Sequence, residues 1–366
     1  MSTRTRPTKT AQEPARASAR RIAVIGAGLS GIVCARTLAQ AGHSVQVFEG
    51  NAAVGGRMAT AETAFGSFDH GAQYFTVRDA RFSLALAQTA AQRCKPWSAN
   101  TVHVLDPYGR VAAAALPTGE RHWVPAPGMQ SLPAHWAAPL LASQAIELGT
   151  RVCSIAPDRL QPQQWQLATE GMLGTPDAQR VFGGFDDVVL AVPAAHALHL
   201  LRASALAPQL QERVAAVSVG PCWTLLLAFP QAQQAGLAHL GPQWNAARST
   251  HHRIAWLARE NSKPGRGAIE RWTVQASTAW SAEHLQDDPA RVQAKLGKAF
   301  AEVTGIRAEP AFATTHAWHQ AQTLVPLGAS HVWDDALRLG IAGDWCLGHR
   351  VEDAFVSGLE LALAMA

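Results

Sequence analysis

The stretch from Arg21 to Glu49, RIAVIGAGLSGIVCARTLAQAGHSVQVFE, constrains the fold more than any other part of the chain. Ile22 to Ile25 is a short apolar run of the kind a buried parallel strand uses. Gly26, Gly28 and Gly31 then open a segment whose apolar residues recur at helical spacing. Gly42 stands where that helix needs a left-handed terminating residue, and SVQVF resumes strand composition before the acidic Glu49. The pattern is a complete βαβ unit.

Each part has a physical task in binding a dinucleotide. Gly26 permits the tight turn out of the strand, Gly28 removes a side chain that would block a pyrophosphate, and Gly31 lets the helix pack closely on the sheet. The pyrophosphate then meets the free amides of the first helical turn, where Ser30 stands and where the helix dipole favours an anion. Glu49, 18 positions after Gly31, can accept hydrogen bonds from an adenosine ribose, and its charge would repel a 2′-phosphate there.

The following GNAAVGGRMAT places Gly55, Gly56 and Arg57 just past the second strand, where the segment can fold back over the pyrophosphate. Arg57 brings a fixed fork of donors. This arrangement resembles the FAD-dependent amine oxidase and desaturase group, which implies a flavin dinucleotide rather than a nicotinamide one.

Three further blocks narrow the resemblance: GAQYFTVRDARF after Asp69, IAWLARENSKPGR at 254–266 and GDWCLGHRVEDAFVSG at 343–358. Together they are similar to the bacterial renalase-like flavoproteins of the flavin amine oxidase superfamily, over most of the chain from about residue 21. The resemblance implies an α/β fold: a Rossmann-type FAD-binding domain with a second α+β substrate domain on a mostly antiparallel sheet, in the manner of p-hydroxybenzoate hydroxylase. It also implies non-covalent FAD. Gln73 becomes a candidate contact near the flavin ring, Asp344 a partner for the ribityl hydroxyls, and a backbone group at Val152 a contact for the adenine. The helix starting near Val351 would aim its amides at the flavin N1 and C2 carbonyl, where charge accumulates on reduction. Glu352 and Asp353 are read as capping residues of that helix rather than catalytic acids. The block THAWHQAQT departs from such relatives, which tend to carry arginine where Ala317 stands.

The expected division places 21–78, 135–200 and 334–366 in the FAD domain and 79–134 with 201–333 in the substrate domain. Gln73 to Phe75 read as a strand, WTLLLAF and ERWTVQAS as long strands, and Pro289 to Val303 as a helix ended by Gly305. Eight of the twelve tryptophans lie beyond residue 200, and Trp256 and Trp318 are candidates to stack on a flat substrate.

Charge is uneven. The formal net charge is +4 and the pI about 9.0, but residues 1–21 carry six Lys or Arg against one acid, so the remainder is close to −1. The basicity belongs to a tail, residues 1–20, expected to be disordered and lacking the apolar middle of a secretory signal. The body offers no net field for nucleic acid. The longest stretch free of Lys, Arg, Asp and Glu, Val214 to Ala247, is broken by Pro221 and Pro230, so no membrane span is expected. Five scattered cysteines with no CxxC pair suit a reducing cytoplasm and give no metal site. Cys346, beside GDW, is the one cysteine placed for flavin attachment, and a buried free thiol is the preferred reading.

With no metal cluster, nucleophile elbow or P-loop, the flavin must carry the reaction. The renalase resemblance implies oxidation of the 2- and 6-dihydro isomers of NAD(P) to NAD(P)+, with O2 as the final acceptor. The alternatives are amine oxidation, for which a lysine beside the flavin is expected and Lys263 lies in a proline–glycine turn that reads as surface, a desaturase, and a flavin-binding protein without turnover.

Overall fold

The computed structural model describes residues 19–97, 103–114, 120–170, 180–233 and 244–366. The basic tail up to residue 18 lies outside the described residues. Arg21–Ile25 forms a parallel strand between Ser44–Phe48 and Asp187–Leu190, in a six-stranded sheet that continues through Leu339–Ala342 to His331–Asp334 on one side and reaches Ile146–Glu147 on the other. The edge strand His331–Asp334 alone runs antiparallel to its neighbour.

Strand alternation explains why this sheet is covered on both faces. Ile22 and Val24 point into a core shared with the helices Leu29–Gln40, Ser131–Ala142 and Val351–Met365, whereas Ala23 and Ile25 point into a second core with Phe48, Leu190 and the helix Ala194–Ala203. The helix Ala80–Thr89, grouped with the substrate domain in the sequence reading, buries Phe82 and Leu86 in the first of these cores. Leu29–Gln40 and Val351–Met365 cross closely at Gly358, where a methyl group would strike the Ser30 carbonyl. Arg20 fastens the start of the sheet, pairing with buried Asp187 at 3.0 Å and donating to the Met365 carbonyl.

The second layer is a seven-stranded, mostly antiparallel sheet ordered Phe312–Val325, Ser218–Phe229, Glu270–Ala276, Ile254–Arg259, Ala246–Ser249, His103–Leu105, Val111–Ala114. WTLLLAF and ERWTVQAS are strands here, as their composition implies, and Pro289–Thr304 is a helix capped by Asp288 and ended by left-handed Gly305. One face of the sheet packs Trp223, Leu225, Leu227, Trp272 and Val274 against that helix through Val292, Leu296 and Phe300. The opposite face carries Thr224, Gln275, Trp256 and Trp318, and it is this face that meets the first layer. No described helix is long and apolar enough to cross a membrane.

Candidate functional site

The glycine turn is built for something other than protein. A Cβ on Gly26 (φ +105°) would strike the Ala191 carbonyl, and one on Gly31 would strike the Gly26 carbonyl, so both are demanded by packing. A Cβ on Gly28 would meet nothing within 4 Å. Gly28 is the N-cap of the helix Leu29–Gln40, which has no side-chain cap and no acid in its first turn. Beside it the Ser30 hydroxyl is buried without a partner among the described residues. Open space, uncapped amides and an unpartnered hydroxyl at one helix N-terminus fit a pyrophosphate.

The GGR segment folds back over this turn. Gly55 N–H donates to the Ala27 carbonyl at 2.9 Å, and a Cβ on Gly56 would come within 3.3 Å of the Gly28 Cα. Arg57 Nη2 reaches Asp344 Oδ1 at 2.5 Å, joining the first loop to the GDW turn that follows the strand Leu339–Ala342. Glu49 sits at the end of its strand, Oε2 accepting from the Ala27 N–H at 2.7 Å and Oε1 from the Asn51 amide and side chain at 2.9 and 2.6 Å. A carboxylate offers about four acceptor positions, so one remains for a ribose hydroxyl unless Asn51 gives way. Val152 is buried on the strand Arg151–Pro157, in the same core as Phe48.

At the other end a cavity of about 500 Å³ opens at the start of the helix Val351–Met365, lined by Gln322, Thr323, Leu347, Gly348, Arg350 and Asp353. Asp353 caps the helix by accepting from the Arg350 N–H at 2.9 Å. Glu352 corrects the expectation of a second cap: its Oε1 accepts from the Arg78 and Asp79 amides, both at 2.6 Å, and so ties the 78–79 turn to the helix. Cys346 is fully buried and its thiol is pushed up to about 12 by burial, so it is no thiolate at neutral pH.

Between the two layers runs Asp69 to Phe75. Gln73 to Phe75, expected as a strand, make only one bridge, Phe75 with Trp123, and the carbonyls just before them are claimed sideways. The His70 carbonyl accepts from Thr224 Oγ1 (3.1 Å) and Trp318 Nε1 (2.8 Å), and the Gly71 carbonyl from Gln275 Nε2 (2.7 Å). On its other side Ala72 N–H donates to the Arg57 carbonyl at 2.9 Å. Gln73 corrects another expectation: its NH2 donates to the Asp69 and Gly71 carbonyls and its oxygen accepts from Lys263 at 3.3 Å, so the amide braces the loop rather than reaching outward.

Lys263 is the largest correction. The proline–glycine turn implies a surface residue, yet the side chain is fully enclosed, with Nζ 3.0 Å from Asp69 Oδ2 and 2.9 Å from Glu260 Oε1. Arg266 joins the same Asp69 oxygen at 2.5 Å. Burial pushes the Glu260 carboxyl up, and Lys263 opposes it. Two carboxylates and two cations thus pair where the loop meets the sheet, with Glu260 Oε2 and Arg266 Nε left buried and without a partner among the described residues.

Trp318 and Trp256 each belong to an aromatic group that spacing alone did not reveal. Trp318 is stacked on His70 (5.2 Å between centroids, 19° between planes), with His316 edge-on to both. Burial, with help from His316 and against Asp69, lowers His70 to about 4, so its imidazole is neutral at physiological pH. Trp256 packs with Tyr74, which also meets His122 and Trp97.

A Rossmann-type sheet carrying this cradle, joined to an antiparallel substrate sheet, defines a two-domain flavin oxidoreductase. Two family models match: an NAD(P)-binding Rossmann-like domain over residues 24–88, and the flavin containing amine oxidoreductases over residues 113–366. The second spans well over half of the chain, and the chain belongs to that family; it is an FAD-dependent oxidoreductase. Among solved structures it is similar to a protein assigned as a protoporphyrinogen oxidase from Exiguobacterium sp. 255-15, with TM-score 0.72 and 12% identity, covering 95% of this chain and 99% of that one. Putrescine oxidase bound to putrescine (TM-score 0.66, 12% identity, 94% and 98% covered) and cyclohexylamine oxidase from Brevibacterium oxydans IH-35A (TM-score 0.66, 14% identity, 95% and 98% covered) share the fold.

Proposed function

We propose that the protein oxidises the 2- and 6-dihydro isomers of NAD(P) to NAD(P)+, each turnover consuming one O2 and one proton and releasing one H2O2. Gly28, Ser30, Glu49, Arg57 and Asp344, with the amides at Val351, are the residues to hold FAD, and the remaining glycines, Gly26, Gly31 and Gly56, shape its cradle. When bound, FAD supplies the two-electron acceptor at flavin N5 and the route for those electrons to O2.

The observation that carries this reading is the enclosure of Lys263. An amine oxidation of the usual kind uses a lysine free to serve the reacting centre, and here that ammonium is committed to Asp69 and Glu260 with no exposure. His70, next to Asp69 in the chain, is a weak base, its pKa lowered to about 4 by burial. A dihydropyridine gains aromaticity by losing hydride and has no proton to surrender, so a site that orients a flat ring and offers no strong base suits it. The chain's contribution is then to bind, align and exclude water.

The test is anaerobic mixing of the FAD-loaded protein with 2-dihydro-NAD, 6-dihydro-NAD, ordinary NADH and a panel of primary amines, followed at the flavin absorbance. Rapid bleaching by the 2- or 6-isomers, with ordinary NADH and amines slow, is the expected result. Bleaching by amines alone would replace the proposal with amine oxidation, and no bleaching would leave a binding protein.

A further inference from the structure

Beside the Asp69–Phe75 loop lies a group of residues that no step so far uses. Tyr74 contacts His122 (4.2 Å between centroids), Trp256 (5.6 Å) and Trp97 (6.2 Å). Trp97 and Trp256 are buried behind, while Tyr74 and His122 are half-buried in front. Trp97 has its N–H satisfied by Ser262 Oγ at 3.1 Å, but the Trp256 N–H is buried with no partner among the described residues. The Trp272 N–H in the core is likewise unpartnered, but Trp256 differs in lying beside half-buried rings at the edge of its cluster, where a ligand acceptor can reach it.

Arg248 completes the group. It lies directly opposite Trp256 in the antiparallel pair Ala246–Ser249 with Ile254–Arg259, so the two side chains leave the sheet on the same face. Arg248 is exposed and makes no ion pair among the described residues, whereas Arg78, Arg81 and Arg338 each find a carboxylate. Burial lowers the His122 pKa, Glu120, itself paired with Arg78, opposes that, and Arg248 is close enough to add to the lowering. A neutral imidazole, a phenol and an indole N–H beside one uncommitted guanidinium suit a ligand that is flat at one place and anionic at the next. Tyr74 is three residues from Gly71, whose neighbour Ala72 is bonded to Arg57, and three residues of chain reach at most about 11 Å. The group therefore adjoins the candidate flavin site.

We propose that Tyr74, His122, Trp256 and Arg248 form the subsite for the adenosine-diphosphate half of the substrate, the rings taking the base and Arg248 the pyrophosphate. The inference rests on the reading of the substrate as a dinucleotide. It assigns specificity to residues that touch the non-reacting half, where binding energy can align the dihydropyridine.

The test uses the FAD-loaded enzyme and the Arg248→Ala variant, whose exposed site makes folding safe. With 6-dihydro-NAD, KM should rise about tenfold or more while kcat holds, the loss of one charge-assisted contact. With 6-dihydronicotinamide riboside, which lacks both phosphates and the adenosine, KM should not move. Binding of ADP-ribose, followed by quenching of tryptophan fluorescence, should weaken to the same extent in Arg248→Ala, and Trp256→Phe should blunt the quench. An equal KM change for both substrates, or ADP-ribose binding that ignores Arg248, would overturn the subsite while leaving dinucleotide oxidation standing. If the dihydronicotinamides fail to bleach the flavin but ADP-ribose binding still depends on Arg248, the subsite stands and the oxidation chemistry falls.

Discussion

Arg57 and Asp344, 287 residues apart, meet at 2.5 Å between Nη2 and Oδ1. This contact joins two sides of the candidate cofactor site, because Arg57 rides on the GGR loop and Asp344 lies in the turn after the strand Leu339–Ala342. Both side chains are partly buried, at 27% and 12% exposure, so the pair keeps more of its Coulomb attraction than a fully solvated one. A double-mutant cycle with Arg57→Ala and Asp344→Ala should therefore show a coupling of about 0.5–3 kcal/mol in FAD affinity. Titration of the apoprotein with FAD measures it, and strict additivity would mean the two act separately on the cofactor.

Gly28 and Gly31 should fail in different ways. Gly28 has φ −69° and open space at its Cβ, so Gly28→Ala should fold with a stability change within about 0.5 kcal/mol yet bind FAD roughly a hundredfold more weakly. Gly31→Ala drives a methyl group into the Gly26 carbonyl and should destabilise the apoprotein itself. Urea denaturation of both apoproteins, set beside their FAD titrations, separates the two.

Lys263→Met removes the cation that Asp69 and Glu260 share and leaves two buried carboxylates short of a partner. The expected loss is about 3–5 kcal/mol of stability. Because Gln73 also loses its bond from Lys263, the Asp69–Phe75 loop should become protease-sensitive before the rest of the chain. Adding Glu260→Gln to the Lys263→Met protein should recover part of the stability, a result that pure loss of packing would not give.

Acid should weaken the protein through His70. Its folded value is about 4 against 6.5 when unfolded, so the unfolded chain takes the proton first; this contribution is complete above 6.5 and is lost as pH falls toward 4. Burial shifts His316 and His122 in the same direction. His70 alone accounts for about 2 kcal/mol between pH 7 and 5. Denaturation at the two pH values should show a smaller difference in His70→Asn.

The first βαβ unit was legible because its signals are local: an apolar run, glycines at fixed offsets and an acid at the next strand end. The long strands of the second sheet and the helix from Pro289 to Gly305 were legible for the same reason. The Asp69–Phe75 loop was not, since its order comes from Thr224, Gln275 and Trp318, contributed by three other strands. Lys263 misled because proline and glycine beside it mark a turn, and nothing local records that two carboxylates fold over it. His316 and Arg248 carry no periodicity; the cross-strand register sets His316 opposite Thr224 and Arg248 opposite Trp256, while His70 reaches His316 from the loop.

The loop between the layers fixes more than side chains. It is sewn to the seven-stranded sheet through the His70 and Gly71 carbonyls and to the GGR segment through Ala72. Prising the layers apart would sever all of these bonds together, so the spacing of the two layers is held by one short length of chain.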